Sequence, residues 1–244
     1  MAKDSSRERL ARREAILSTS IEYLAEVGPS QFESKEVANR CGITQSQINY
    51  YFGGRDGLLM DAMTTLHVRH SDEIIERVEG QADPYEGMLV YVDTVIDFVT
   101  TYGATSSATS IPELFARSEG IETWRREANA AQVLDSSERV STVLVSACYS
   151  IWRGRPYRRM NRAKIGVVAL TNPRVTNSVV LIGMSCGGLA RVWTQHLARP
   201  TFGFDPRKLL RRSARMVLDD LRRSPQVETD ETDYYDDDSG EITS

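Results

Sequence analysis

Apolar residues recur at helical spacing along this chain and predict an all-α protein. Leu10, Leu17, Ile21 and Leu24 fall on one stripe of a helix over residues 5–27. Ser5 and Glu8 have the spacing of a capping box at its start, and Gly28-Pro29 ends it. Residues 34–53 read as helix, tight turn, helix. Residues 56–79 continue as a helix leading away from that pair. Residues 85–102 carry Tyr85, Met88, Leu89, Val92, Val95, Ile96 and Val99 on a helical repeat. Pro112 opens a short helix, where its missing N–H is no loss. Residues 121–152, with Trp124, Leu134, Val143, Leu144, Ala147 and Trp152, form one helix, long or broken. Residues 175–198 and 206–223 make the last two. The first of these is rich in small residues, among them Gly183, Ser185, Cys186, Gly187, Gly188 and Ala190. Each glycine weakens a helix by about 1 kcal/mol against alanine, so their density predicts close approach of another helix.

The stretch SKEVANRCGITQSQINYYFG, residues 34–53, carries the sharpest chemistry. Ala38 is small where a second helix must cross the first, Gly42 tolerates a turn at positive φ, and Ile48 anchors the second helix on the first. This is the arrangement that lays a helix in the DNA major groove. Thr44 can cap the second helix, with Gln47 completing a capping box. Gln45, Ser46, Gln47, Asn49 and Tyr50 then line its exposed side, while Ile48 and Phe52 point inward. Gln and Asn can pair with adenine N6 and N7, and Tyr50 and Tyr51 can reach phosphate through their hydroxyls. Ser34 and Lys35 start the preceding helix, where free N–H groups suit a phosphate oxygen. No Arg or Lys lies between Gln45 and Phe52, so adenine reading is expected to dominate over guanine reading. The competing account is a polar surface helix with no ligand.

Over residues 7–62 the chain resembles the TetR family of one-component transcriptional regulators. A long first helix is followed by FESKEVANRCGITQSQINYYFGGRDGLL, with the aromatic-aromatic-Phe, the Gly-Gly link, the Arg55-Asp56 pair and Leu58-Leu59 in register. Members usually have Lys at the position of Arg55; the charge is kept, so the resemblance implies a phosphate contact there. Members often have Tyr where Asn49 stands and His where Tyr51 stands, so the base contacts differ from the family's usual set. The resemblance implies an all-helical homodimer, with an operator-binding head over residues 1–54 and an effector-binding and dimerisation domain over 55–226. It also implies that the last two helices form a four-helix bundle with those of a second subunit. The expected function is a ligand-responsive transcription factor, by family habit a repressor, acting on a double-stranded and (pseudo)palindromic DNA operator.

Composition refines this picture. The chain has 244 residues, 41% of them hydrophobic, and no run approaches the length of a membrane span. The polar N-terminus is unlike a secretory signal, and three scattered cysteines fit a reduced, cytoplasmic setting. Basic and acidic residues balance at eight each over residues 1–56, so charge alone does not announce a DNA-binding head. Residues 227–244 hold eight acidic and no basic residues and read as a disordered tail; without them the formal charge moves from −4 to 30 − 26 = +4. Residues 152–164, WRGRPYRRMNRAK, are the densest basic stretch; they read as a solvated connection, with an AT-hook-like second DNA contact as the minority view.

No cofactor is expected, and the three histidines make no metal set with the cysteines. His67 and His70 could line a cavity, and Tyr91, Phe98, Phe115, Trp124 and Tyr149 are further candidate lining for an apolar or aromatic effector. Ordinary core packing is the competing account of each. Two rival functions exist. One is a DNA-binding adaptor whose larger domain binds a protein. The other is a serine hydrolase, because Gly183-Met184-Ser185-Cys186-Gly187 has the nucleophile-elbow spacing. That fold needs an acid and a histidine well beyond the serine. His196 is the sole histidine after Ser185, eleven residues on, and too close to fit the intervening elements.

Overall fold

A computed structural model describes residues 2–102, 121–196 and 205–226, and all regular structure among them is helical. The helices are α1 (Ala2–Val27), α2 (Ser34–Cys41), α3 (Gln45–Phe52), α4 (Arg55–Glu79), α5 (Pro84–Tyr102), α6 (Thr123–Arg153), α7 (Ile165–Thr171), α8 (Pro173–His196) and α9 (Pro206–Arg223). A 3₁₀ turn, Arg162–Lys164, precedes α7. The short helix expected at Pro112, the candidate Phe115 and the acidic tail lie outside the described residues. So does the side chain of His196.

The first three helices are punctuated as their sequence requires. Gly28 stops α1 with φ 75°, donating its N–H to Leu24 O at 2.9 Å. Gly42 stops α2 at φ 63°, and the Ile43 N–H returns to Ala38 O at 2.9 Å. A side chain is strained in that left-handed region, which explains glycine at both ends. Thr44 then opens α3 with the expected capping box: its Oγ1 accepts from the Gln47 N–H, and Gln47 Oε1 accepts from the Thr44 N–H at 3.0 Å. Thr44→Ala should therefore lower thermal stability by about 1 kcal/mol, with Thr44→Ser restoring most of it in a calorimetric scan. An unchanged transition in the alanine variant would show the cap to be idle. The helix α1 begins at Ala2, ahead of Ser5, so the capping box expected at Ser5 and Glu8 does not mark its start; the polar residues there are themselves adequate helix formers.

The described residues fall into two compact units. One joins the residues before Ser71 to the Asp97–Ser136 span; the other joins Ser71–Ile96 and Ser137–Leu189 to α9. Much of α4 and the start of α6 pack with α1–α3. In this unit Leu24, Phe32, Val37, Ile48, Phe52 and Leu58 are wholly buried, with Phe98 and Tyr102 of α5 packed beside them. The core of the other unit is built from α5, α6 and α9, with Met88, Leu89, Val92, Ala147, Cys148, Tyr149 and Leu218 at its centre. Burial pushes the Cys148 and Cys186 thiols up to about 12, so neither is a ready nucleophile.

Three expectations for this second unit change. The basic stretch is more than a solvated connection. After α6 stops at Gly154, Met160 is buried, its N–H donates to Ser146 Oγ at 3.0 Å, and Tyr157 donates to Glu79 at 2.9 Å. The turn of helix α7 beyond it was not legible, because seven residues give too short a repeat to register. The glycines of α8 meet no close neighbour either: a Cβ placed at Gly183, Gly187 or Gly188 finds nothing within 4 Å. The close approach they predict is not made by the described residues of this chain.

Candidate nucleic-acid interface

Helix α3 presents Gln45, Ser46, Asn49 and Tyr50 outward, with Gln47 and Tyr51 half-buried and Ile48 and Phe52 inside. These residues are not equally free to read a base. Gln45 Nε2 donates to the Oγ of Ser34 at 2.9 Å, tying α3 to the first turn of α2. Ser34 is itself buried, so its hydroxyl serves as a strut beneath Gln45. Gln47 spends its carbonyl oxygen on the cap. A bidentate adenine contact needs both the oxygen and the nitrogen of an amide, and Asn49 is the exposed amide on α3 with neither drawn into the cap or the strut. Tyr50 is 70% exposed and packs edge-on against Tyr51, ring centres 5.0 Å apart. Lys35 is exposed beside Ser34.

Arg55, expected at a phosphate, also makes contacts within the protein. Its Nε donates to Phe32 O at 2.8 Å, one terminal nitrogen to Pro29 O at 3.3 Å, and the other to Asp56 at 2.7 Å. The guanidinium fastens the α1–α2 turn onto the start of α4, using three of its five donors. Arg40 braces α2 in a similar way, meeting Glu26 through two bonds of 2.8 Å and lying over the Tyr23 ring. The Arg40 side-chain hydrogen bond holds the Glu26 carboxyl below its ordinary range.

What supports α3 from behind was missed in the sequence. Asp61 of α4 is only 4% exposed and receives three donors: Arg13 at 2.6 Å, Arg125 at 2.7 Å and Asn129 at 2.9 Å. Arg125 also reaches the Tyr51 carbonyl in the last turn of α3, at 3.4 Å. Arg13 lies over the Phe52 ring, 5.4 Å from its centre. Thus α1, α4 and α6 converge on the back of the exposed helix. The partners lie 48 to 68 residues apart in the chain, so no local pattern announces them. The one available hint was an acidic residue at a buried phase of an otherwise apolar helix repeat.

Residues 16–62, which hold α2, α3 and the start of α4, match the family model described as "Bacterial regulatory proteins, tetR family". Over these residues the chain is of TetR-family type. Curated relatives include the HTH-type transcriptional regulator BetI 1 of Chromohalobacter salexigens, 30% identical over 87 residues, or 35% of this chain and 43% of that protein. The regulator BetI of Stenotrophomonas maltophilia is 28% identical over 88 residues, 35% of this chain and 44% of the relative. The matched region therefore spans less than half of either relative. Solved structures extend the likeness in fold. The fatty acid degradation regulator FadR of Bacillus halodurans superposes with a TM-score of 0.53 at 13% identity, covering 86% of this chain and 96% of that one. PfmR, a TetR-family regulator of Thermus thermophilus, gives 0.51 at 14% identity, covering 84% and 97%.

The described candidates for effector lining are divided between the two compact units. Tyr91 and Tyr149 fill the core of the second unit. Phe98 belongs to the first unit, stacked on His70 with ring centres 3.8 Å apart. Burial, with a smaller contribution from His67, pushes His70 down to about 4; burial also lowers His67. The His70 ring is thus neutral at pH 7. Trp124 stands 60% exposed at the first turn of α6, under the Arg125 guanidinium, and lines no interior space. The α6 repeat placed it among the core residues because the periodicity cannot tell where that helix emerges into solvent. No group of three potential metal ligands occurs among the described residues, and none of the described helices is by itself long and apolar enough to cross a membrane.

The serine-nucleophile reading is overturned. Ser185 sits in mid-helix in α8, and its hydroxyl donates to Leu181 O at 2.7 Å. A nucleophile elbow needs a strand before the serine and a sharp turn at it; here the chain is helical on both sides. The curated relatives that match the start of the chain are transcriptional regulators.

Proposed function

We propose that this protein is a homodimeric transcription factor that lays α3 in the major groove of a (pseudo)palindromic operator and is released from it by a small effector, so that it acts as a repressor. The observation that carries this reading is the capped polar helix α3, held from behind by the buried Asp61 cluster, with an exposed amide at Asn49. A surface helix without a ligand has no need of so many long-range supports.

Asn49 is the principal reader of adenine, Gln45 contributes through the amide oxygen not committed to Ser34, and Gln47 acts through the cap. Tyr50, Ser46 and Lys35, with the N–H groups at the start of α2, meet the phosphate backbone. Dimerisation uses α8 and α9. Along α8, Val180, Leu181 and the 70% exposed Met184 stand beside the glycines, and Leu209 and the 66% exposed Met216 lie outward on α9. Small residues let a second backbone approach closely, and the apolar ones give it area to bury.

Selection of bound sequences from a random DNA pool tests the reading. Wild-type protein should yield a two-fold related site specified mainly at A·T pairs. Asn49→Ala should relax preference at one A·T position in each half-site by about 1–3 kcal/mol, roughly five- to 150-fold. Gln47→Ala should lower stability more than selectivity. A site specified chiefly at G·C pairs, or unchanged selectivity in the Asn49 variant, would overturn the assignment.

A further inference from the structure

We propose that the acidic segment 227–244 docks, within its own chain, on a strip of uncommitted cations along the outward face of α9. This goes beyond operator binding, and it stands whether or not α3 meets DNA.

The strip follows from the helix repeat. Leu210, Ala214, Leu218 and Leu221 turn one side of α9 into the core of the second unit. Lys208, Arg212, Arg215 and Arg223 recur at whole turns on the opposite side, and all four are exposed. Arginines at the margin of the core are answered: Arg207 lies 3.5 Å from Asp93, and Arg211 pairs with the same carboxylate. The four outward cations are not. Their side chains make no hydrogen bond or ion pair among the described residues. Of the acids of α9, Asp219 falls within the strip, where it accepts from the Tyr85 hydroxyl at 2.9 Å. Four cations against one anion leave the strip at +3. Like charges one turn apart weaken a helix, so an acidic cover is favourable here. Leu209 and Met216, assigned above to the dimer contact, border the strip, so cover and contact use neighbouring sides of α9.

The chain supplies such a cover. Residues 227–244 hold eight acidic residues and no basic one, and they follow directly on α9. Trp152 Nε1 donates to Pro225 O at 3.3 Å, and Gln226 donates to Trp152 O at 3.1 Å, which pins the start of the segment within the second unit. Lys208, at the far end of the strip, is about 22 Å of helix from Arg223. Eighteen extended residues reach up to about 60 Å. A tethered segment of this kind has an effective concentration of order millimolar. That lets several surface pairs act together where one alone is worth little. The basic stretch before α7 is the poorer host, because its cations are already engaged. Arg159 meets Glu79 and Arg162 meets Glu138, and Arg153, Arg155, Arg158 and Lys164 have partners too. A bare strip would attract the phosphates of any duplex; a covered one leaves α3 as the surface offered to DNA.

Zero-length carbodiimide coupling of the full chain reads the contact directly. The chain has four lysines, on four different elements: Lys3 in α1, Lys35 in α2, Lys164 in the 3₁₀ turn and Lys208 on the strip. Peptide mass spectrometry should find acids of residues 227–244 joined chiefly to Lys208. A mixture of isotope-labelled and unlabelled protein should show both joined peptides to come from one chain. Arg212→Gln, Arg215→Gln and Arg223→Gln together keep the reporting lysine and remove three cations. They should lower the Lys208 yield several-fold and leave the thermal transition in place, since these side chains hold no protein partner. Raising the salt to about 0.5 M should lower the yield likewise with no substitution at all. Changing all eight acids to their amides should tighten binding of a non-operator duplex several-fold at low salt, and the three α9 substitutions should abolish that gain. Joining chiefly to Lys164, Lys35 or Lys3, or none to Lys208, would overturn the proposal. So would joining chiefly between chains, a Lys208 yield indifferent to salt and to the three arginines, or a gain in duplex binding that survives their loss.

Discussion

Replacing Asp61 with alanine should destabilise the protein by about 3–5 kcal/mol, the usual effect of removing one partner of a buried ion pair. The carboxylate is buried and answers Arg13, Arg125 and Asn129 at once. The loss falls unevenly on these partners. Arg13 is 39% exposed and can turn to water, whereas the Arg125 side chain is 10% exposed and cannot. The Arg125 Nε is already buried without a partner, so removal of Asp61 leaves most of a guanidinium uncompensated in the interior. Since whole domains are stable by about 5–15 kcal/mol, the variant should unfold at markedly lower denaturant. A double-mutant cycle separates the pair from its setting. Adding Arg125→Met to Asp61→Ala should recover part of the loss, because the stranded charge goes with it. Additive losses would mean that the two residues do not interact as the geometry states. Operator binding gives a second readout, since Arg125 also holds the Tyr51 carbonyl at the end of α3.

Gly57→Ala tests the same junction by sterics alone. Gly57 lies in the first turn of α4 in ordinary helical conformation, where alanine is favoured over glycine by about 1 kcal/mol. Propensity thus predicts a gain. The packing predicts the opposite, because a Cβ at this position would sit 1.9 Å from Phe52 O and 3.6 Å from Arg125 Cδ. The first distance is far inside contact, and its partner is backbone, which cannot rotate away. Either α3 or α4 must shift by more than an ångström, and Phe52 is fully buried at that point. Overpacking of this kind typically costs about 1–3 kcal/mol, which exceeds the propensity gain. We expect lower thermal stability and a loss of operator affinity of about a hundredfold, because the helix proposed to enter the groove is displaced. Wild-type affinity together with a raised transition temperature would mean that propensity wins and the junction is slack.

Both predictions concern residues that the sequence reading passed over, while the features it found are local. The Thr44–Gln47 capping box, the glycine stops at 28 and 42 and the inward phase of Ile48 and Phe52 all involve residues within a few positions of one another. Helix periodicity and cap chemistry act over that range and stay visible in a single sequence. Arg55 shows the limit. Its charge was legible, but its use was not, because the carbonyls it holds belong to Pro29 and Phe32. Trp124 shows the same limit for burial: its place in the α6 repeat was readable, but the repeat does not say which end of a helix stands in water.

The sequence by itself therefore determined the all-helical class, the helix-turn-helix with its caps, the family likeness and the polar face of α3. Each follows from steric and hydrogen-bonding preferences that operate within a turn or two of helix. Only the tertiary structure decided which amides on that face are already committed, which charges sit buried at Asp61, where the chain divides into compact units, and that Ser185 is an ordinary helical serine. Those outcomes depend on groups brought together from tens of residues apart, and burial, the property that sets their strength, is defined only once the chain has packed.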